Sequence, residues 1–151
     1  VKLSENFHLS EFTKSELAVR KGIDNSPTTA VIARLKLLTE NILQPIRDAW
    51  GTVTINSGYR SLALNAAIGG SSSSQHTKGE AADFEVLGKD NKELAIWIRD
   101  HLAFDQLILE FYQDGDRNSG WVHCSFHPQV NRRSVLRAST VNGKTVYSTG
   151  I

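Results

Sequence analysis

Ser74-Gln75-His76-Thr77-Lys78-Gly79-Glu80-Ala81-Ala82-Asp83 places an imidazole and a carboxylate on either side of a glycine and runs on into Phe84-Glu85-Val86. From Ala81 to Val86 the residues alternate as a strand does. Asp83 falls on one face with Ala81 and Glu85, and Ala82, Phe84 and Val86 fall on the other. Further along, Trp121-Val122-His123-Cys124-Ser125 repeats the pattern, with Trp121, His123 and Ser125 opposite Val122, Cys124 and Phe126. Two such strands make a sheet with an apolar back and a chemical front. Two histidines and one aspartate are the three protein ligands of a catalytic zinc that keeps its fourth position for water. Gly79 lets the chain turn sharply between the loop ligand and the strand ligand, and Ala81 leaves room beside the ion. Two neutral imidazoles and one carboxylate leave a divalent ion with net positive charge, which lowers the pKa of bound water towards about 7.

Working outward, residues 1–25 mix polar and apolar positions (Phe7, Leu9, Phe12, Leu17, Val19) and predict turns and a short helix. Ser26-Pro27 predicts a helix start, with Ser26 as N-cap and Pro27 at the first helical position. Val31, Leu35, Leu38, Ile42, Ile46 and Ala49 then form an apolar stripe, which Pro45 should kink or end and Gly51 should close. Thr52–Asn56 predicts a strand, Ser57-Gly58-Tyr59-Arg60 a turn, and Leu62–Ile68 a helix capped by Ser61. A flexible loop over Gly69–Ser74 leads into His76. A helix over Asn91–Leu102 and strands over Phe104–Tyr112 and Gly120–Phe126 follow. The tail, about 128–151, carries a hairpin between Ser134 and Ser148 around Asn142-Gly143, a type I′ turn signal. With strands concentrated late, and neither repeat nor linker, 1–151 is a single α+β domain. Its small antiparallel sheet carries the metal site and is flanked by helices.

A hydrophobic content of 40% and a charged content of 22% are ordinary for a globular chain. A net charge of +1, from 17 basic and 16 acidic residues, gives no electrostatic case for a nucleic-acid partner. Arg132, Arg133 and Arg137 form the local basic cluster and are expected on a solvated surface. No apolar run approaches the roughly 20 residues of a membrane span, so no membrane anchor is expected. The stretch Val1–Asn6 has no apolar signal core, so we expect synthesis in the cytoplasm without a visible signal, and we expect a monomer. The one cysteine, Cys124, lies on the core face and reads as a small buried hydrophobe.

A hydrolytic zinc also needs a general base that is not a ligand. Glu110 ends the run Leu107-Ile108-Leu109, and alternation puts it on the face of Ile108 and Tyr112. Glu85, Asp114 and Asp116 compete for that role, and Glu110 could instead be a strand-end carboxylate paired with an arginine. Arg60 is placed to clamp a carboxylate or a developing oxyanion, a solvated arginine being the plainer alternative. His8, His101 and His127 lack partners at ligand spacing, with His127 a candidate supporting group.

The stretch Ser74–Asp83 resembles the S-x-H-x-x-G-x-A-x-D signature of the zinc D-alanyl-D-alanine carboxypeptidases and dipeptidases. Their relatives include phage endolysin peptidases and the zinc fold of the hedgehog signalling domain. Trp121-Val122-His123 is similar to the second half of that pattern, and Asn56–Ser61 resembles the family's S-G-Y-R segment. The similarity runs from residue 3 to about 127. It implies Zn2+ held by His76, Asp83 and His123, with Glu110 as base and Arg60 as a catalytic and substrate contact. Ser74 and Trp121 would be further substrate contacts, and Gly69–Gln75 a mobile rim. The substrate implied is the peptidoglycan stem peptide, cut at D-Ala-D-Ala or at L-Ala–D-Glu by attack of metal-activated water. Relatives carry a carboxylate three residues before the last histidine or a histidine two before it, where this chain has Gly120 and Trp121. Glu110 instead resembles the strand-end glutamate of hedgehog-type sites, followed by a longer loop from Gln113 to Ser119. A small chain with no visible signal is similar to a phage or prophage endolysin acting on the cell wall. The alternatives are a zinc-containing module that binds wall or protein without cleaving it, and a peptidase of ordinary proteins.

Overall fold

Six strands build the sheet, and the ligand-bearing pair lies inside it rather than at an edge. The computed structural model describes Val1–Ile151. It opens with β1 (Lys2–Ser4), β2 (Phe7–His8), α1 (Ser10–Thr13), α2 (Glu16–Lys21) and α3 (Thr29–Leu38). A π-helical turn (Thr39–Leu43) joins α3 to α4 (Gln44–Trp50), followed by β3 (Val53–Ser57) and α5 (Leu62–Ala67). A 3-10 turn (Gln75–Lys78) leads into β4 (Ala81–Val86), and α6 (Asn91–His101) follows. Last come β5 (Gln106–Glu110), β6 (Trp121–Ser125), β7 (Ser134–Val141) and β8 (Lys144–Thr149). The sheet order is β3-β4-β6-β5-β7-β8. Every pairing is antiparallel except β5 with β7. The α+β expectation holds, with that one parallel pair added.

The back of the sheet is the core. Ala82, Phe84, Leu107, Leu109, Val122 and Cys124 are buried there in one cluster with Leu35, Leu38, Ile42 and Ile46 of the long helix and Leu94 and Ile98 of α6. The alternation in β4 and β6 therefore sorts side chains as expected, leaving Asp83 and His123 on the front.

Three local expectations are corrected. The long helix begins at Thr29, with Thr28 as N-cap: its hydroxyl accepts from Val31 N at 3.2 Å. Ser26 is spent on a turn, its own N–H donating to Asp24 Oδ1 at 2.9 Å. Pro45 does not end the helix. A proline ring inside a helix clashes with the carbonyl of the fourth residue before it and lacks a donor. The π-helical turn just upstream widens the backbone at that point, so Pro45 enters at the start of α4 and the stripe stays buried through Ile42, Leu43 and Ile46. Finally, Tyr112 leaves the face of Glu110 for the core, because Phe111 takes φ +55 and breaks the alternation. The tail hairpin forms as read, with Asn142 and Gly143 both at positive φ (52 and 76).

The turn that ends β5 and starts β6 depends on Gly120. It has φ +66, and a Cβ there would overlap the Glu110 carbonyl oxygen and stand 2.8 Å from Tyr112 N. Gly120→Ala is therefore expected to cost about 1–3 kcal/mol, read as a lower chemical-denaturation midpoint. Gly115→Ala, at φ +91 but with nothing within 4 Å of its Cβ, should cost less.

Candidate metal centre

Strand pairing delivers two of the three ligands. β4 and β6 pair with Asp83 directly opposite His123, and His123 Nδ1 lies 2.9 Å from Asp83 Oδ1. His76 arrives from the 3-10 turn, where Ser74 Oγ accepts from His76 N at 3.2 Å. Gly79 closes that turn at φ +76, hard against α3: a Cβ would sit 2.8 Å from the Val31 carbonyl oxygen. His76 Nε2 then stands 3.4 Å from the same Asp83 oxygen. One ligand atom from each of the three residues lies within 4.8 Å of the others. Two atoms bound tetrahedrally at zinc distances stand about 3.4 Å apart, so the donor set and its spacing fit zinc.

The S-G-Y-R turn supports His76 through its backbone. His76 Nδ1 lies 2.7 Å from the Gly58 carbonyl oxygen, so the ring donates there and turns the lone pair of Nε2 towards Asp83. Arg60 N–H donates to the His76 carbonyl at 3.1 Å, and Tyr59 N–H to the Phe12 carbonyl at 2.7 Å. Gly58 has no room for a side chain, since a Cβ would meet Phe12 Cα at 2.7 Å. Gly58 was not among the residues expected at the site. Its signal was the glycine of the S-G-Y-R segment, whose arginine alone had drawn a role.

Burial holds the pKa of His76 below its ordinary value. The Asp83 charge partly offsets this, and His123 and Arg60 reinforce it. The imidazole is thus neutral near pH 7, the form that ligates. Burial would raise Asp83, but the hydrogen bond from His123, with the His76 ring close beside the same oxygen, outweighs it and holds the carboxyl well below the usual range.

These residues line a cleft of about 900 Å³ with Arg60, Ser74, Glu110 and Trp121. Glu110 pairs across strands with Trp121, and its Oε2 accepts from Trp121 Nε1 at 2.5 Å. It makes no ion pair. Burial and then the Asp83 charge push its pKa up, against the opposing pull of His123, the Trp121 hydrogen bond and Arg60. Arg60 has its Nε buried without a partner. Burial lowers its pKa against the charges of Asp83 and Glu110. The competing carboxylates lie outside the cleft. Glu85 accepts from Asn56 and Asn91, Asp114 pairs with Lys92 and Arg137, and Asp116 accepts from Asn118 N. His127 lines the cleft away from the ligands, its Nδ1 accepting from Gln129 N at 3.1 Å.

A buried neutral imidazole makes the metal-free protein acid-sensitive. Unfolding frees His76 to bind a proton near its ordinary value of 6.5, above its folded value. Its contribution is therefore fully present above that pH and is lost as pH falls through the folded pKa; Asp83 adds a loss of the same sign below 3.8. The denaturation midpoint of the metal-free chain should fall between pH 7 and pH 5, and a flat profile would contradict this assignment.

The sequence model of the family described as Peptidase M15 matches residues 5–125. Over 74 residues the chain is 39% identical to the zinc D-Ala-D-Ala carboxypeptidase of Streptomyces albus G. That stretch covers 48% of this chain and 29% of the carboxypeptidase, so the match spans under a third of that relative. The family match takes in β3 through β6, the cleft's three candidate ligands and Glu110. With the His-Asp-His cluster at zinc spacing on the front of its sheet, the chain belongs to the M15 family of zinc metallopeptidases.

Proposed function

We propose that this protein is a zinc-dependent peptidoglycan peptidase that hydrolyses a bond in the stem peptide of the bacterial wall, in the manner of a phage or prophage endolysin. The bond is of the D-Ala-D-Ala or L-Ala–D-Glu type. The observation that carries the reading is the gathering, in one cleft, of three zinc-type ligands, an unpaired and partly buried carboxylate, and an arginine with an unpartnered buried nitrogen. A structural zinc site has its four positions filled by protein, whereas this one offers three ligands and open space. That favours catalysis over a module that only binds. The named relative acts on D-Ala-D-Ala, and the signature Ser74–Asp83 resembles both that group and the endolysin peptidases.

In this reading His76, Asp83 and His123 hold the ion, which polarises the scissile carbonyl and acidifies water when bound. Glu110 takes the proton of the attacking water on Oε1, its Oε2 being held by Trp121, and passes it to the leaving amine. A carboxylate with raised pKa suits that double duty, since it must both accept and release the proton near neutrality. Arg60 faces the oxygen that gains charge, or the substrate carboxylate, in a desolvated setting where its charge counts for more than in water. Trp121 walls the cleft beside Glu110, and Ser74, with its hydroxyl already engaged by His76 N, sits at the rim.

Incubating purified peptidoglycan with the zinc-loaded chain should release new amino termini, and mass spectrometry of a defined muropeptide should identify the bond. Glu110→Gln is expected to lower turnover by roughly 10²–10⁴-fold with zinc content unchanged. Retained activity would remove Glu110 from the mechanism, and capture of peptidoglycan without cleavage would mean a binding module.

A further inference from the structure

The C-terminal hairpin lies beyond residue 125, where the family match ends, yet it reaches the cleft. On the front of the sheet, register aligns Trp121 with Glu110, Glu110 with Ala138, and Ala138 with Tyr147. Four neighbouring strands thus contribute one row of side chains, about 14 Å from end to end at ordinary strand spacing. The row has an aromatic ring at each end and between them Glu110 and the small, buried Ala138. Tyr147 lines the cleft although its strand is otherwise turned to solvent, and it is 54% exposed. Val130, 72% exposed, lines the same cleft, on the segment that enters β7 at Ser134 opposite Gln106. A tyrosine and a valine left open at the rim of a peptidase cleft form a surface that a bound chain can cover.

The segment that carries Val130 into β7 is rigidly fastened. The Arg132 guanidinium grips the buried Asp105 through Nε and Nη2, each at 2.9 Å, and the Arg132 N–H adds a third bond at 3.0 Å. Arg133 N and Ser134 N donate to the carbonyls of Phe104 and Asp105. The same carboxylate reaches back to the metal loop, since Gln75 Nε2 donates at 3.0 Å to Asp105 Oδ2, the oxygen that Arg132 Nη2 also holds. The wall is therefore held in place relative to His76 before any substrate arrives.

We propose that Tyr147 of the β7–β8 hairpin and Val130 of the segment leading into it supply a substrate subsite, packing at two points against an extended peptide segment beyond the residues flanking the cleaved bond. This rests on the peptidase function proposed above and names where the outer part of its substrate lies. Binding energy gathered far from the reacting carbonyl raises kcat/KM for long substrates and gives nothing to short ones.

The test compares a full-length wall stem peptide with the same peptide cut back to the residues flanking the cleaved bond. The enzyme is the zinc-loaded full chain and its Tyr147→Thr, Tyr147→Phe and Val130→Ser variants. Threonine keeps strand propensity, and unchanged melting temperatures confirm that the hairpin persists. The ratio of kcat/KM for long over short peptide should fall about tenfold in Tyr147→Thr, fall less in Val130→Ser, and be largely restored in Tyr147→Phe. An unchanged ratio in both Tyr147→Thr and Val130→Ser overturns the subsite. If Tyr147→Thr fails to fold, Val130→Ser, which lies outside the strands, decides alone. Should the wild-type chain cleave neither peptide, the peptidase reading fails, and calorimetry of the long peptide on the metal-free chain decides the subsite separately. Affinity weakened in the variants supports it, and equal or absent affinity overturns it.

Discussion

The pairing of Asp83 with His123 across β4 and β6 is the constraint on which the rest of the structure depends. In an antiparallel ladder a slip of one residue turns every side chain to the other face. Here that slip would carry Asp83 into the core and replace it with Ala82 or Phe84. The apolar back of the sheet prevents it, because Phe84, Val122 and Cys124 are fully buried and each would be driven into solvent. The metal geometry is thus enforced by hydrophobic burial on the opposite face. His76, which comes from outside the sheet, needs separate fixing and gets it from Gly58 and the Arg60 N–H.

Burial at the site acts in opposite directions on its members, and this sorts their roles. It lowers His76 and keeps that ring neutral; it would raise Asp83, but two imidazole contacts prevail there. Glu110 has a single donor and a neighbouring negative charge, so burial prevails and its pKa rises. Two carboxylates on one face of one sheet therefore differ because one sits between imidazoles and the other under an indole. The first is suited to hold a cation, the second to exchange a proton.

Much of this was legible in the sequence because strand alternation is local. Period-2 patterning allowed Asp83 and His123 a common face and set Glu110 opposite Leu107 and Leu109 in its own strand, and the tail hairpin was readable from Asn142-Gly143. What was not legible depended on backbone events that side-chain patterns do not encode. Phe111 at positive φ reverses the alternation after Glu110 and sends Tyr112 inward. The π-helical turn at Thr39–Leu43 lets a proline sit inside a continuous helix. Gly58 acts through its carbonyl, which every residue possesses, so only the absence of space for a Cβ distinguishes it. The parallel pairing of β5 with β7 was equally hidden, since hydrophobic pattern gives the faces of a strand and not its neighbours.

That parallel pair explains why the loop after Glu110 can be long without loosening the Glu110 carboxylate. Glu110 sits at the end of β5, where an edge strand would fray. Here β5 is flanked on both sides, by β6 through Trp121 and by β7 through Ala138, and Phe111 N–H adds a bond to the Ala138 carbonyl at 2.9 Å. Asn91, at the head of α6, ties down the far side of the loop by donating to the carbonyls of Ser119 and Gly120 at 3.0 Å each. The end of β5 is therefore braced by groups on three other elements, β6, β7 and α6, while residues 113–118 remain largely at the surface. Were Glu110 to act as the proposed base, it would need this bracing to keep its place beside the candidate ligands. The tail that provides part of it also places Tyr147 in the lining of the cleft.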